Sequence, residues 1–282
     1  MSCLCKILPY ILLLINALWL RTTSAQDIYD LPNSKKYAQH LAKQKEYKLA
    51  AEEWEKILQT DTSATSRYQL LRIYRLGGMF NQGETFATKH FSTKPYMAHA
   101  EFSEEFIKIL LLKNEPDKAR NFLAIKHTGL DTFQKANYTF QTYLLQADWQ
   151  QARKLYNENQ NLYAHKDDSY QSILLRAENQ EHKSPALAAA LSAGIPGLGK
   201  VYTEDWKDGA VAFVIVGTTA LQSYWGFREK GTRSVYGWIF GGLALGYYTG
   251  NIYGSYKSAN RFNHRQQAII LQDAKSIIFS AY

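Results

Sequence analysis

The sequence predicts an all-α fold, a helical-hairpin repeat solenoid followed by a small α-helical transmembrane module, and three observations predict it. A phrase of one bulky residue, two spacers and one small residue returns four times before residue 184 at nearly constant spacing. Beyond residue 184 charges thin out and two long apolar, glycine-rich runs follow. No alternating pattern long enough for a convincing β-strand interrupts either half.

The first 25 residues read as an export signal. Lys6 precedes an apolar run from Ile7 to Leu20, and Thr23-Ser24-Ala25 puts small residues before a cut ahead of Gln26. An uncleaved anchor is the other reading, because one basic residue makes a thin leading region and Arg21 follows the run. Cleavage removes Cys3 and Cys5, the only 2 cysteines. The mature chain then has no disulfide, no thiolate nucleophile and no cysteine metal site. The formal charge of +8 falls to +6 with Lys6 and Arg21 gone, and no run of five like charges remains. A scattered basic excess on an exported chain does not imply nucleic acid.

Residues 26–183 carry the repeat. The phrase falls at Tyr47 to Ala50, Phe80 to Gly83, Pro116 to Ala119 and Trp149 to Ala152, so the small residue recurs at intervals of 33, 36 and 33. Periods of this size mark stacked helical hairpins, because one hairpin cannot bury its apolar face alone. The small residue is expected where the two helices of a hairpin cross closely. Trp54, Ala87, Leu123 and Tyr156 follow four positions later on the same face. A helix is predicted before each phrase, over Ser34 to Lys45, Thr65 to Leu76, His99 to Lys113 and Thr132 to Gln146. Gly77-Gly78, Asn114-Glu115-Pro116 and Ala147-Asp148 supply turn signals between them. A last helix, about Asp168 to Glu181, has Asp167 and Asp168 as cap candidates and suits a solvating end to the array.

On these residues the segment from about 31 to 183 resembles the tetratricopeptide repeat family, with Ala50, Ala119 and Ala152 at its small position and Trp54 and Tyr156 at its later aromatic position. The early Trp and the end-of-repeat Pro of that family are absent, and the second repeat carries Gly83 and Ala87 instead of Ala and an aromatic. The resemblance implies a protein partner held on the concave side, which the first helix of each hairpin lines. By register that side presents Gln39, Tyr68, Arg72, Arg75, Glu104, Lys108, Asn137 and Gln141; ordinary solvated positions are the alternative for each.

Residues 184–260 form the predicted membrane module, with spans near 209–225 and 236–254 separated by the basic loop Phe227 to Val235. Neither run contains a charge, and aromatic residues gather toward their ends. Gly242, Gly246, Gly250 and Gly254 make three successive GxxxG steps, which let another helix approach closely. The preferred neighbour is the first span, with a second copy of the chain, and so a homo-oligomer, as the other choice. Upstream, Gly194 to Lys200 fits GxxxxGK, but Val201 stands where a phosphate loop needs a hydroxyl, and an Ala-rich helical run precedes it instead of a strand. A bend or re-entrant turn at Pro196-Gly197-Leu198-Gly199 fits better. Residues 196–202 (PGLGKVY) together with 250–256 (GNIYGSY) resemble two-pass membrane modules of uncharacterised bacterial envelope proteins; that resemblance implies location and no chemistry. Residues 261–282 are expected to form an amphipathic tail that rests on the membrane surface or docks on the repeats.

No HExxH, GxSxG or paired-carboxylate arrangement appears, so no catalytic residue, metal or cofactor is expected, and no enzyme. The expected function is a membrane-anchored periplasmic scaffold in a bacterial inner membrane that binds a protein partner through its repeats during envelope assembly. The alternative is a membrane transport or lipid-handling component built on oligomerised Gly-rich helices.

Overall fold

The structure is a computed structural model that describes residues 30–93, 99–125, 128–159 and 167–282. The export signal predicted for residues 1–25 lies outside the described residues. Among the described residues every regular element is helical and no strand occurs. They fall into two compact units, Met1–Lys135 and Ala136–Tyr282. The expected seam at 183/184 is therefore not where compactness divides; the division lies inside the helix Thr132–Leu145.

The first unit contains three hairpins, α1 (Leu31–Lys43) with α2 (Tyr47–Thr60), α3 (Ala64–Leu76) with α4 (Phe80–Thr93), and α5 (Ala100–Leu112) with α6 (Pro116–Leu123). Asp30 caps α1 by accepting from the Asn33 amide at 2.8 Å, and Ser63 caps α3 through the Ser66 amide at 3.2 Å. Each second helix begins on the first residue of the repeated phrase, at Tyr47, Phe80 and Pro116. Ala50, Ala119, Trp54, Ala87 and Leu123 are all buried, so the apolar stripe faces inward as the spacing requires. At Gly83 a Cβ would stand 2.7 Å from Ile109 Cδ1 and 3.3 Å from Tyr74 Cβ, so alanine there would require the end of the Ile109 side chain to shift. Trp54 sits with Leu41, Leu70, Ile73 and Tyr74 in the core shared by α1, α2 and α3. Edge-on contacts from Tyr74 to Phe86 and from Phe86 to Phe102 tie α3 and α4 to α5.

The second unit opens inside α7 (Thr132–Leu145), which with α8 (Trp149–Glu158) makes the fourth hairpin, and continues with α9 (Asp167–Glu178). Ala152 and Tyr156 are buried at the phrase positions. Asp167 and Asp168 lie within the first turn of α9, not ahead of it. Then come α10 (Pro185–Gly194), the five-residue α11 (Leu198–Tyr202), α12 (Trp206–Lys230), a 3-10 turn at Gly231–Arg233 and α13 (Val235–Phe279). Ser184 and Ser234 cap α10 and α13, accepting from the Leu187 and Gly237 amides at 3.3 and 3.0 Å.

Two boundaries differ from expectation. Phe227 to Lys230, assigned to a loop, complete α12, so the connection to α13 is short. The predicted tail is no separate element, because α13 runs unbroken for 45 residues, about 68 Å at 1.5 Å per residue. Its distal half packs on α9, with Ile270, Ala274 and Ile278 buried at helical spacing and Arg176 of α9 paired with Asp273.

Candidate functional site

Every hairpin turn uses the same backbone device. The residue two before each phrase is left-handed: Lys45 (φ 63°), Gly78 (68°), Asn114 (60°) and Ala147 (54°). Its amide donates to a carbonyl three residues back and the next amide to one five back, as in Asn114 to Leu111 and Glu115 to Leu110, both 2.9 Å. That is the helix stop glycine normally serves, built here four times with one glycine. Glu204 (φ 67°) repeats it between α11 and α12, with Glu204 to Val201 at 3.0 Å and Asp205 to Lys200 at 2.9 Å. The sequence holds the signal, because Asp148-Trp149 with Ala152 and Asp205-Trp206 with Gly209 share the pattern Asp-Trp-x-x-small. Reading only residues 26–183 for repeats misses this fifth copy.

Of the eight residues expected to face a partner, the first unit holds six. Gln39 and Arg72 meet at a groove of about 330 Å³ between α1 and α3, with Lys43, Gln69 and Leu76 on its walls. Lys43, Gln69 and Leu76 are additions that register alone did not single out. Tyr68 is half-buried, and burial with the nearby Glu105 charge raises its hydroxyl pKa. Glu104 accepts from the Gln134 amide and lies 3.6 Å from Lys108 Nζ, so both are engaged within the unit. Arg75 is a correction. It is buried, not solvated, and its guanidinium pairs with the buried Glu105 carboxylate. In the second unit Gln141 is also buried, donating to Tyr170 Oη at 3.4 Å and accepting from the Tyr282 hydroxyl. Asn137 is half-buried, and its amide oxygen has no partner among the described residues.

Residues 184–260, the expected membrane module, hold the second arrangement. Among the described residues one segment, Trp206–Arg233, is long and apolar enough to cross a membrane. A core helix of a soluble domain is mostly buried, whereas 17% of this segment's apolar window is. Trp206, Val211, Phe213, Leu221 and Trp225 on α12, and Trp238, Ile239 and Leu245 on α13, are each more than half exposed. Such a contiguous apolar surface is not one that water favours. The 236–254 run has the length for a second crossing, but its Gly, Tyr and Thr content keeps it below the same apolarity.

The two helices pair through glycines other than those expected. A Cβ on Gly226 would meet the Gly237 amide nitrogen at 2.7 Å, and Ser223 donates to the Gly237 carbonyl at 2.9 Å. A Cβ on Gly242, Gly246 or Gly250 would meet nothing within 4 Å, and one on Gly254 would meet only the Lys200 stem at 3.5 Å. The GxxxG stripe is thus not the seam with α12. The seam lies one face away, where the helices touch backbone to backbone.

The two sequence motifs, some fifty residues apart in the chain, come together here. Gly197 (φ 88°) sits against Gly209, where a Cβ would stand 2.1 Å from its carbonyl oxygen, and a Cβ on Gly199 would stand 1.8 Å from the Ala188 oxygen. A polar seam on α13 receives the bend: Ser255 shares a 2.7 Å hydrogen bond with Ser192, and Ser258 another of 2.7 Å with Thr203. Ser258 also donates to the Asp205 carboxylate, and Asn263 clamps the Lys183 backbone with two 2.9 Å bonds. The bend at Pro196 is therefore as expected, and α10, ten residues long, falls short of a crossing.

Asn251 continues that seam but is unlike its neighbours. It is 5% exposed, and neither its amide nitrogen nor its oxygen has a partner among the described residues. It lines a cavity of about 270 Å³ between α12 and α13 together with the buried Val216, the exposed Gly246 and Gly250, and the charged Lys200 and Asp208. A buried amide left so costs about 1–3 kcal/mol. Among the described residues no group of three or more His, Cys, Asp or Glu could hold a metal ion. Compared with models of known families, with curated proteins and with solved structures, the chain matches none.

Proposed function

We propose that the chain is a membrane-anchored scaffold whose tetratricopeptide-like hairpins hold a protein partner on the periplasmic side of a bacterial inner membrane. The observation that carries this reading is the contrast between two kinds of surface. The hairpins bury their apolar stripes, while α12 and the first half of α13 turn theirs outward. The first half suits water and the second hydrocarbon.

Two crossings, by α12 and by residues 236–254, are the topology we favour. α9 and the distal half of α13 pack on each other, which requires an even number of crossings between them. The end of α12 and the turn after it, with Arg228, Lys230 and Arg233, then face the cytoplasm in accord with the positive-inside rule, whereas Lys257, Arg261 and Arg265 on α13 face the other side, which the rule does not favour. Tethering gives the scaffold its mechanism, because anchoring raises the local concentration of whatever the hairpins bind. The groove that joins Gln39 and Arg72, with Lys43 beside them, suits an acidic or amide-rich segment.

A photo-crosslinker placed at Arg72 in the full chain, in cells, is expected to trap one protein that the same probe at Glu52, exposed on α2, does not. Identical products from both positions, or none from Arg72, would defeat the partner assignment.

A further inference from the structure

We propose that the cleft between α12 and α13 is a phospholipid site: an acyl chain lies along Gly246 and Gly250, and a phosphoethanolamine headgroup spans Lys200 and Asp208. The proposal rests on membrane insertion and is independent of any protein partner.

Four observations converge on it. The cleft has apolar walls, among them Ile215 and Val216, and a polar end, which is the profile of an amphiphile. A Cβ on Gly246 or Gly250 would meet nothing within 4 Å, so both leave open space in the cleft that a large side chain would occupy. Among the described residues, neither Lys200 nor Asp208 has an ion pair or a hydrogen bond from its charged group, although both sit at the rim. One cation and one carboxylate, each without a partner, complement a headgroup with a phosphate and an ammonium. The fourth observation is independent of charge: the buried Asn251 amide lines the same cavity with both polar atoms unpaired. It can donate to and accept from the ester region that follows a headgroup into the bilayer.

Geometry favours a lipid over a second copy of the chain. A helix with its side chains is about 10–12 Å across, so a second copy could lie only across the glycine face and would leave a cavity of about 270 Å³ beneath it unfilled. A single alkyl chain fits. The position along α12 agrees, since Lys200 and Asp208 stand beside Trp206 at the start of the apolar run, while Ile215 and Val216 lie two turns deeper.

The test uses the full chain in nanodiscs of equal parts phosphatidylethanolamine and phosphatidylglycerol, released into mild detergent for native mass spectrometry. Wild type is expected to retain phosphatidylethanolamine in preference to phosphatidylglycerol. Gly250→Leu fills the cleft and Lys200→Gln removes the phosphate partner, and each lowers retention by about tenfold or more. Asp208→Asn is expected to abolish the preference between the two lipids, and Gly242→Leu, outside the cleft, to change nothing. Equal retention by wild type, Lys200→Gln and Gly250→Leu would overturn the site, and Lys200→Gln keeps that outcome readable if Gly250→Leu does not fold. A lipid-free dimer lost in Gly250→Leu would overturn it too, assigning the glycines to a second copy. Failure of wild type to enter nanodiscs would sink the membrane reading and this proposal with it, a result distinct from insertion without retention.

Discussion

Ala147 holds φ 54°, a conformation in which an L side chain crowds its own backbone and glycine does not. Ala147→Gly is therefore expected to raise stability by about 0.5–1 kcal/mol, read from the thermal midpoint of the full chain in detergent, with Gly78→Ala lowering it by a similar amount. Arg75 sets a larger effect. Its pair with Glu105 is buried, so Glu105→Ala strands a charge and should cost about 3–5 kcal/mol, whereas the double change Arg75→Met with Glu105→Leu should be close to neutral. A larger loss in the double variant would contradict this account of the pair. Acid should act through Asp61, whose carboxyl is held well below the usual carboxylate range by Lys35, then by Ser66 and the Ser63 amide. A depressed folded pKa means that the unfolded chain takes up the proton first. The contribution is present above about pH 4 and lost as pH falls below it, and Asp61→Asn should flatten that part of the acid profile. The small and aromatic phrase positions were legible because burial at helical spacing leaves a period. Arg75 and Gln141 were not, since their burial depends on Glu105, thirty residues later, and on Tyr170 and Tyr282, which no local pattern announces.

Among elements, the turn from α11 into α12 matters most. It repeats the backbone device of the hairpin turns, so the chain enters α12 without a change of turn geometry. The glycines that hold this turn against its neighbours have no room for substitution. Gly199→Ala would drive a methyl into the Ala188 carbonyl, and Gly197→Ala would add a strained backbone to a clash with Gly209. Each is expected to cost about 1–3 kcal/mol or more and to expose the 184–202 segment to protease in reconstituted protein, while Gly194→Ala, with open space around it, leaves the digest unchanged. The GxxxG steps announced close packing by their spacing alone. Spacing cannot say which face of α13 meets α12, and backbone contact at Gly226 and Gly237 fixes a different one. That leaves Gly246 and Gly250 open to the cleft they line.

For the whole molecule, the length of α13 links an exposed apolar half to a half packed on α9. Its first half carries exposed Trp238, Ile239 and Leu245, and its second half is tied to α9 through Arg176 and Asp273 and to α7 through Tyr282 and Gln141. The division of the sequence into a charged and an apolar half was legible from composition, but the return of the chain's end to the last hairpin was left open, because a face of Ile270, Ala274 and Ile278 suits lipid and protein equally. Anchoring by an even number of crossings is the central claim, and side-specific cysteine labelling tests it most directly. Single cysteines at Gln150, Thr232 and Gln272 are introduced in a chain with Cys3 and Cys5 changed to Ser, and a membrane-impermeant maleimide is applied to intact spheroplasts. The account predicts labelling at 150 and 272 and protection at 232 until the membrane is opened; labelling at 232 in intact cells, or opposite results at 150 and 272, would contradict it.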